Sequence, residues 1–146
     1  MKPKFLNMYM EIAEVAARQS YAERLKVGAV AVRDHRILGC SYNGTPPGMS
    51  NQCEDWFTEV SEDGTLTTYS KTNEDVIHAE MNLIFKLARD GESGKGSNLF
   101  ITHAPCYQCA KGILSVGFSK VYYRNQYRNT DGIELLEQNS IPVEQI

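Results

Sequence analysis

Four side chains in two short stretches can do chemistry together. His78 and Glu80 lie in "EDVIHAEMNLIF" (74–85), and Cys106 and Cys109 lie in "THAPCYQCAKGIL" (102–114). Cysteines three apart at a helix start project to the same side of the turn. The free N–H groups and positive dipole end there favour thiolate over thiol. Pro105 is tolerated at such a position, where its missing N–H has no helical partner. His78 adds a nitrogen. One imidazole and two thiolates suit Zn²⁺, and three protein ligands rather than four leave a place for water, as in a catalytic site. Zinc brings the pKa of water to about 7. A neighbouring carboxylate, Glu80, can take up that proton and hand it on. Residues two apart in an ideal helix point nearly opposite ways, so His78 and Glu80 share a cavity only if the helix begins at about His78. The same residues admit two other readings. One is a thioredoxin-like Cys106–Cys109 dithiol. The other is a closed structural zinc completed by His103, Cys53 or Cys40.

These residues need a frame. Residues 5–19 place Phe5, Met8, Tyr9, Ile12, Val15 and Ala16 on one helical face. "VGAVAVR" (27–33) and "RILGCSY" (36–42) read as strands joined by a turn at Asp34–His35, and "NGTPPG" (43–48) is a turn cluster. Residues 49–75 lack clear periodicity and read as a long loop insertion. They are acidic, with Glu54, Asp55, Glu59, Glu62, Asp63, Glu74 and Asp75 against Lys71; a loop of this length in a compact domain is often functional. A helix over 78–89 carries Met81, Ile84, Phe85 and Ala88 as its packing face. Then follow a strand at 98–102, a helix at 106–116, a strand at 120–123, a helix at 131–138 and an edge strand within 141–146, where Pro142 is awkward in a central one. The order α-β-β-α-β-α-β-α-β predicts a sheet flanked by helices, parallel in its later half. Residues 1–146 suit a single domain.

Composition narrows the function. At 42% hydrophobic and 23% charged residues, the chain reads as an ordinary globular protein. No apolar run approaches the roughly 18 residues of a membrane span. Glu11 and Glu14 interrupt the apolar N-terminal stretch, which argues against a signal peptide and for a cytoplasmic location. A net charge of −3 gives no basic field for a nucleic-acid polymer. In a reducing compartment a C-x-x-C pair reads as metal or redox chemistry before disulfide.

The ordered pattern H-x-E…P-C-x-x-C, here "HAE" (78–80) and "PCYQC" (105–109), resembles that of zinc-dependent deaminases. With "GCSYNGTPPG" (39–48) and the long connection to His78, the chain from about Arg24 to Tyr127 resembles the deoxycytidylate (dCMP) deaminase family of the cytidine deaminase superfamily. The resemblance implies an α/β fold, a three-layer α-β-α sandwich with a five-stranded mixed sheet. It implies a catalytic zinc on His78, Cys106 and Cys109, and hydrolysis of dCMP to dUMP and ammonia, which feeds thymidylate synthesis. Glu80 would move protons between water, N3 of the base and the departing amine. Asn43 would meet the sugar, and Thr102, His103 and Ala104 would line the base pocket. Arg24, Lys26, Tyr123 and Tyr127 are candidates for ribose or phosphate.

The family is also typically activated by dCTP with Mg²⁺, inhibited by dTTP and commonly hexameric. That points to Tyr42, Gly44, Thr45, Gly48, Ser50 and Asn51 as effector contacts, with backbone donors from the turn, and to Arg89 as facing a neighbouring subunit. The acidic stretch 54–63 would stabilise Mg²⁺ or be simply solvated. Cys40 and Cys53 stand alone in their region, too few for the second, structural zinc of some members. A deaminase of another base (tRNA adenosine, free cytosine or a riboflavin precursor) is the enzymatic alternative. A non-catalytic zinc-stabilised interaction module is the other, although a structural zinc has no need of Glu80.

Overall fold

Strand alternation sets the layers. In β1 (Gly28–Arg33), β5 (Asn98–His103) and β6 (Lys120–Asn125) the central residues are buried on both faces. Ala29, Ala31, Leu99, Ile101, Val121 and Tyr123 pack into one cluster, and Val30, Val32, Phe100 and Tyr122 into another. This is the two-residue period of a strand sorted between two cores. The structure, a computed structural model, describes residues 1–146. With β2 (Arg36–Tyr42) and β7 (Val143–Gln145) the sheet runs β2-β1-β5-β6-β7. β1 pairs antiparallel with β2 and β5, while β5, β6 and β7 are parallel. The expected five-stranded mixed sheet is present, parallel in its later half. β7 lies at the edge, and Pro142 just before it contributes only its carbonyl, to the Val121 N–H. The Asp34–His35 turn has φ of 50° and 61°, the left-handed pair that a tight two-residue hairpin requires.

One helix, α1 (Pro3–Ala17), covers the Val30–Phe100 face. α2 (Ala79–Arg89), α3 (Tyr107–Val116) and α4 (Asp131–Gln138) cover the other. This is the three-layer sandwich. No helix is long and apolar enough to cross a membrane.

Three expectations are corrected. On α1, Phe5, Tyr9, Ile12 and Ala16 pack inward as expected, but Met8 and Val15 are exposed, and Met10, Ala13 and Ala17 are buried. Its contact line passes through small residues because α1 lies close on β1: a Cβ on Gly28 would stand 1.9 Å from the Ala13 carbonyl oxygen. α2 turns Ala79, Glu80, Leu83 and Leu87 inward, not Met81, Ile84, Phe85 and Ala88. Met81 and Ile84 instead pack on α3 over Gly112, and Phe85 and Ala88 are exposed. A helix seated on a sheet and a neighbouring helix has two apolar lines, and periodicity alone does not say which of them faces the sheet. Finally, most of 49–75 is no loop. β3 (Glu54–Val60) and β4 (Leu66–Thr72) form a separate antiparallel hairpin. Asp63 and Gly64 make its turn: Asp63 accepts from Ser61 Oγ and the Thr65 N–H, and Gly64 has φ 82°. The Thr65 N–H holds the Asp63 carboxyl down at about 2. Other acids are engaged locally as well, with Glu59 accepting from the Tyr69 hydroxyl and Asp55 from the Asn73 amide.

α4 bears on the segment that precedes α3. A Cβ on Gly132 would stand 2.1 Å from the Pro105 carbonyl oxygen and 2.9 Å from that of Cys106. Gly132→Ala should therefore force the Pro105–Cys106 turn or α4 to move. The expected loss of stability is about 1–3 kcal/mol, as for overpacking elsewhere, read as a lower denaturation midpoint at unchanged slope.

Candidate active site

Each of the two chemical stretches ends an extended segment and begins a helix. His78 is the N-cap of α2 with φ −64° and ψ 153°, and Cys106 is the N-cap of α3 with φ −72° and ψ 166°. Their carbonyls accept the first helical bonds, from the Asn82 and Ala110 N–H groups, each at 2.9 Å. Neither side chain caps its helix, so both are free to point elsewhere. They point at each other. His78 Nδ1 lies 3.5 Å from Cys106 Sγ and 3.4 Å from Cys109 Sγ, and the three ligand atoms lie within 4.8 Å of one another. A tetrahedral metal with bonds of about 2.3 Å to sulfur and about 2.1 Å to nitrogen sets S···N separations of about 3.6 Å. The cluster fits zinc. His103, Cys53 and Cys40 do not join it.

The helix start at Ala79 also resolves the spacing of His78 and Glu80. His78 stays outside the helix and Glu80 lies within its first turn, on the inward line with Leu83 and Leu87. Glu80 is only 4% exposed, and burial pushes its carboxyl up to about 7. The Cys109 thiol beside it, with His78 assisting, holds Cys106 down at about 3. The hydrogen bond to Cys106, burial and the Glu80 charge raise Cys109, and the Cys106 sulfur raises His78. The protons on His78 and Cys109 are those that a bound metal displaces.

The cluster opens onto a cavity of about 260 Å³. His78, Glu80 and Cys106 form its floor, and His103 and Ala104, at the end of β5, form one wall. The carboxyl ends of parallel strands are where ligands bind in α/β sheets. Burial lowers the pKa of His103, whose Nδ1 lies 3.1 Å from Thr102 Oγ1. Arg24, Asn43 and Tyr127 line the cavity. The Asn43 amide is engaged twice with the wall, accepting from the Val27 N–H and donating to the Leu25 carbonyl.

Three candidates stand apart from the cavity lining. Lys26 is exposed. Thr102 is buried, where its hydroxyl accepts from the Gly28 N–H. Tyr123 is in the core, with its hydroxyl donating to Gln126 Oε1. The cavity also contains residues that sequence reasoning missed: Arg128, Glu54, Thr72 and Val76. Arg128 adjoins Tyr127, and an arginine in the loop after β6 was a readable signal. Glu54 opens β3 and Thr72 closes β4, and they face each other in register at the base of the hairpin, so only pairing of the strands reveals them.

A second, smaller cavity of about 190 Å³ lies beyond Cys53, which lines both. Tyr42, Gly44, Thr45, Gly48 and Asn51 line it. Ser50 does not, although its carbonyl accepts from the Thr45 hydroxyl. Arg89 is elsewhere, exposed at the end of α2 and paired with Asp90.

Comparison with known proteins agrees with this geometry. The family described as "Cytidine and deoxycytidylate deaminase zinc-binding region" matches residues 3–125. The crystal structure of dCMP deaminase from the cyanophage S-TIM5 in complex with dCMP and dUMP is 45% identical. It superposes with a TM-score of 0.87 over 100% of this chain and 99% of that one. The deoxycytidylate deaminase of Mycobacterium phage D29 is 34% identical over 124 residues, 84% of this chain and 95% of that protein. ComE operon protein 2 of Bacillus subtilis (strain 168) is 35% identical over 139 residues, 94% of this chain and 69% of that protein.

The purified protein should hold about one zinc per chain. Cys109→Ser, which replaces the buried thiolate with a poor zinc ligand, should hold less than about a tenth of that after dialysis against a mild chelator. Elemental analysis of parent and variant reads the difference.

Proposed function

The chain belongs to the cytidine and deoxycytidylate deaminase family, and we propose that it hydrolyses dCMP to dUMP and ammonia. One observation carries the proposal: a buried carboxyl group, Glu80, lines the cavity onto which the His78–Cys106–Cys109 cluster opens. A structural metal site has no use for such a group. The choice of dCMP follows the likeness to the cyanophage enzyme that was crystallised with dCMP and dUMP.

Bound zinc supplies Lewis acidity, which makes water a nucleophile at neutral pH. The residues do the rest. Glu80 takes the proton of the water that attacks C4 of cytosine and delivers one to N3. It then helps to protonate the departing amine. A carboxyl poised near neutrality is suited to both directions of transfer. His103 and Ala104 hold the base, and Asn43 reaches the sugar with the lone pair and N–H that its backbone bonds leave over. Arg24 and Arg128, the two cations of the cavity, take the phosphate. In this reading Tyr127 touches the nucleotide, while Tyr123, Thr102 and Lys26 support the site from outside it.

Activation by dCTP with Mg²⁺, inhibition by dTTP and assembly into a hexamer belong to the same proposal. The second cavity supports the regulatory part, because the effector candidates Tyr42, Gly44, Thr45, Gly48 and Asn51 line it together and Cys53 is common to both cavities.

The decisive assay follows ammonia release from dCMP, dCTP, cytidine and a tRNA anticodon stem-loop, each with and without dCTP and Mg²⁺. Release from dCMP should dominate. Glu80→Gln should keep its zinc and lose about a thousandfold in kcat, within the range for a general acid–base group. No release from dCMP under any condition would overturn the proposal, and zinc retention with undiminished turnover in Glu80→Gln would remove Glu80 from the chemistry.

A further inference from the structure

Residues 18–27 carry the chain from α1 to β1 with no helix or strand of their own. Side chains satisfy their backbone instead. The Ala22 N–H donates to Ser20 Oγ at 3.1 Å, and the Val27 N–H to Asn43 Oδ1 at 2.9 Å. Between them, the Glu23 and Arg24 N–H groups both donate to one oxygen, Glu54 Oε1, at 3.0 and 3.1 Å. Glu54 is the first residue of β3, and at 4% exposed it is the one charged residue of the hairpin that is buried. A buried carboxylate persists only where hydrogen bonds compensate it, and two N–H donors on one oxygen are of the strong, charge-assisted kind. The residue so held, Arg24, lines the cavity and makes no ion pair within the chain.

We propose that Glu54 is a positioning residue for substrate binding. Its carboxylate fixes the Glu23–Arg24 backbone so that the Arg24 guanidinium is presented to the cavity, and in doing so it ties the base of the hairpin to the substrate site. The inference rests on the reading of Arg24 as a phosphate partner. It adds a residue that does not touch the phosphate, reaching Arg24 from 30 residues along the chain. Glu54 acts on binding and is remote in role from the zinc cluster, so its loss should alter KM and spare kcat.

The test is steady-state kinetics on dCMP with Arg24→Ala, Glu54→Ala, Glu54→Gln and the Arg24→Ala/Glu54→Ala double variant, with zinc content and thermal unfolding measured on each. Glu54→Ala should raise KM about tenfold and change kcat by less than about twofold, with zinc retained. Glu54→Gln should stay within about threefold of the parent, because an amide oxygen still accepts both N–H groups. The double variant should be no worse than Arg24→Ala alone, since two residues acting through one contact are not additive. Glu54→Met, which keeps the volume and removes the acceptor, carries the test if the alanine variant does not fold. An unchanged KM in Glu54→Ala and Glu54→Met, a loss of kcat and zinc together, or fully multiplicative effects in the double variant would each overturn the positioning role. An unchanged KM in Arg24→Ala would instead sink the phosphate reading on which it rests, and a parent inactive on dCMP would sink the proposed function.

Discussion

Two helix N-termini meet at one point, and the site depends on the backbone staying extended at the residue before each. At His78 and Cys106 the chain is still in strand-like conformation while the carbonyl already accepts the first helical bond. An N-cap residue has that divided geometry. Its side chain ordinarily turns back to satisfy a free N–H of its own helix. Here neither does so, and both side chains meet across the gap with Cys109, one turn into α3. The positive ends of two macrodipoles therefore face one small volume, which favours thiolates and any negative charge that develops there. What brings the two ends together is the sheet. α2 and α3 lie on the same face, packed through Leu83, Leu87, Ala110 and Ile113 on β1, β5 and β6. α4 bears on the turn before α3 closely enough that only glycine fits at 132.

The same packing gives Glu80 its character. A carboxylate on the outer face of α2 would be solvated and would titrate in the ordinary carboxylate range. Glu80 shares the inward line with Leu83 and Leu87, so the contacts that seat the helix also desolvate the acid. The rise to about 7 has burial as its first cause. Burying a carboxylate is ordinarily destabilising, and local rules of core composition are expected to fail where chemistry is done. Glu80 departs from those rules on a helix whose other buried residues, Ala79, Leu83 and Leu87, are apolar.

The chemical half of the site was legible in the sequence because it is local. HAE and PCYQC each lie within one turn of a helix start, and spacing along the chain becomes spacing in the fold there. The parallel half of the sheet followed from the succession of elements, since β5, β6 and β7 are each separated by a helix, whereas the strand order and the antiparallel β1–β5 pairing were not legible in it. The binding half was much less legible. The inward face of α2, and Met8 and Val15 on α1, differ from expectation because periodicity locates an apolar stripe without saying which partner covers it. The hairpin was missed because its strands are solvated on both faces and show no clean alternation, although Asp63–Gly64 between Thr- and aromatic-rich runs is a recognised turn signal. Glu54 then read as one more acid of a solvated loop, when the β3–β4 register places it at the buried base of the hairpin.

The two halves of the cavity are therefore built by different means. Helix starts and strand ends, fixed by the core, hold the metal ligands, Glu80, His103 and Ala104. Segments without regular structure hold Arg24, Tyr127 and Arg128, and the path of the one that carries Arg24 depends on a few side-chain bonds across long stretches of chain: Ser20 to Asn43, Asn43 to Val27, and Glu54 to Glu23 and Arg24. A change in the second group can redirect a cation or reshape a wall without disturbing the helix N-termini. A change in the first group cannot be absorbed, because the ligand atoms are set by the same contacts that form the core. The two groups are thus mechanically separable in this fold, and the hairpin, joined to the cavity through Cys53, Glu54 and Thr72 at its base, belongs with the second.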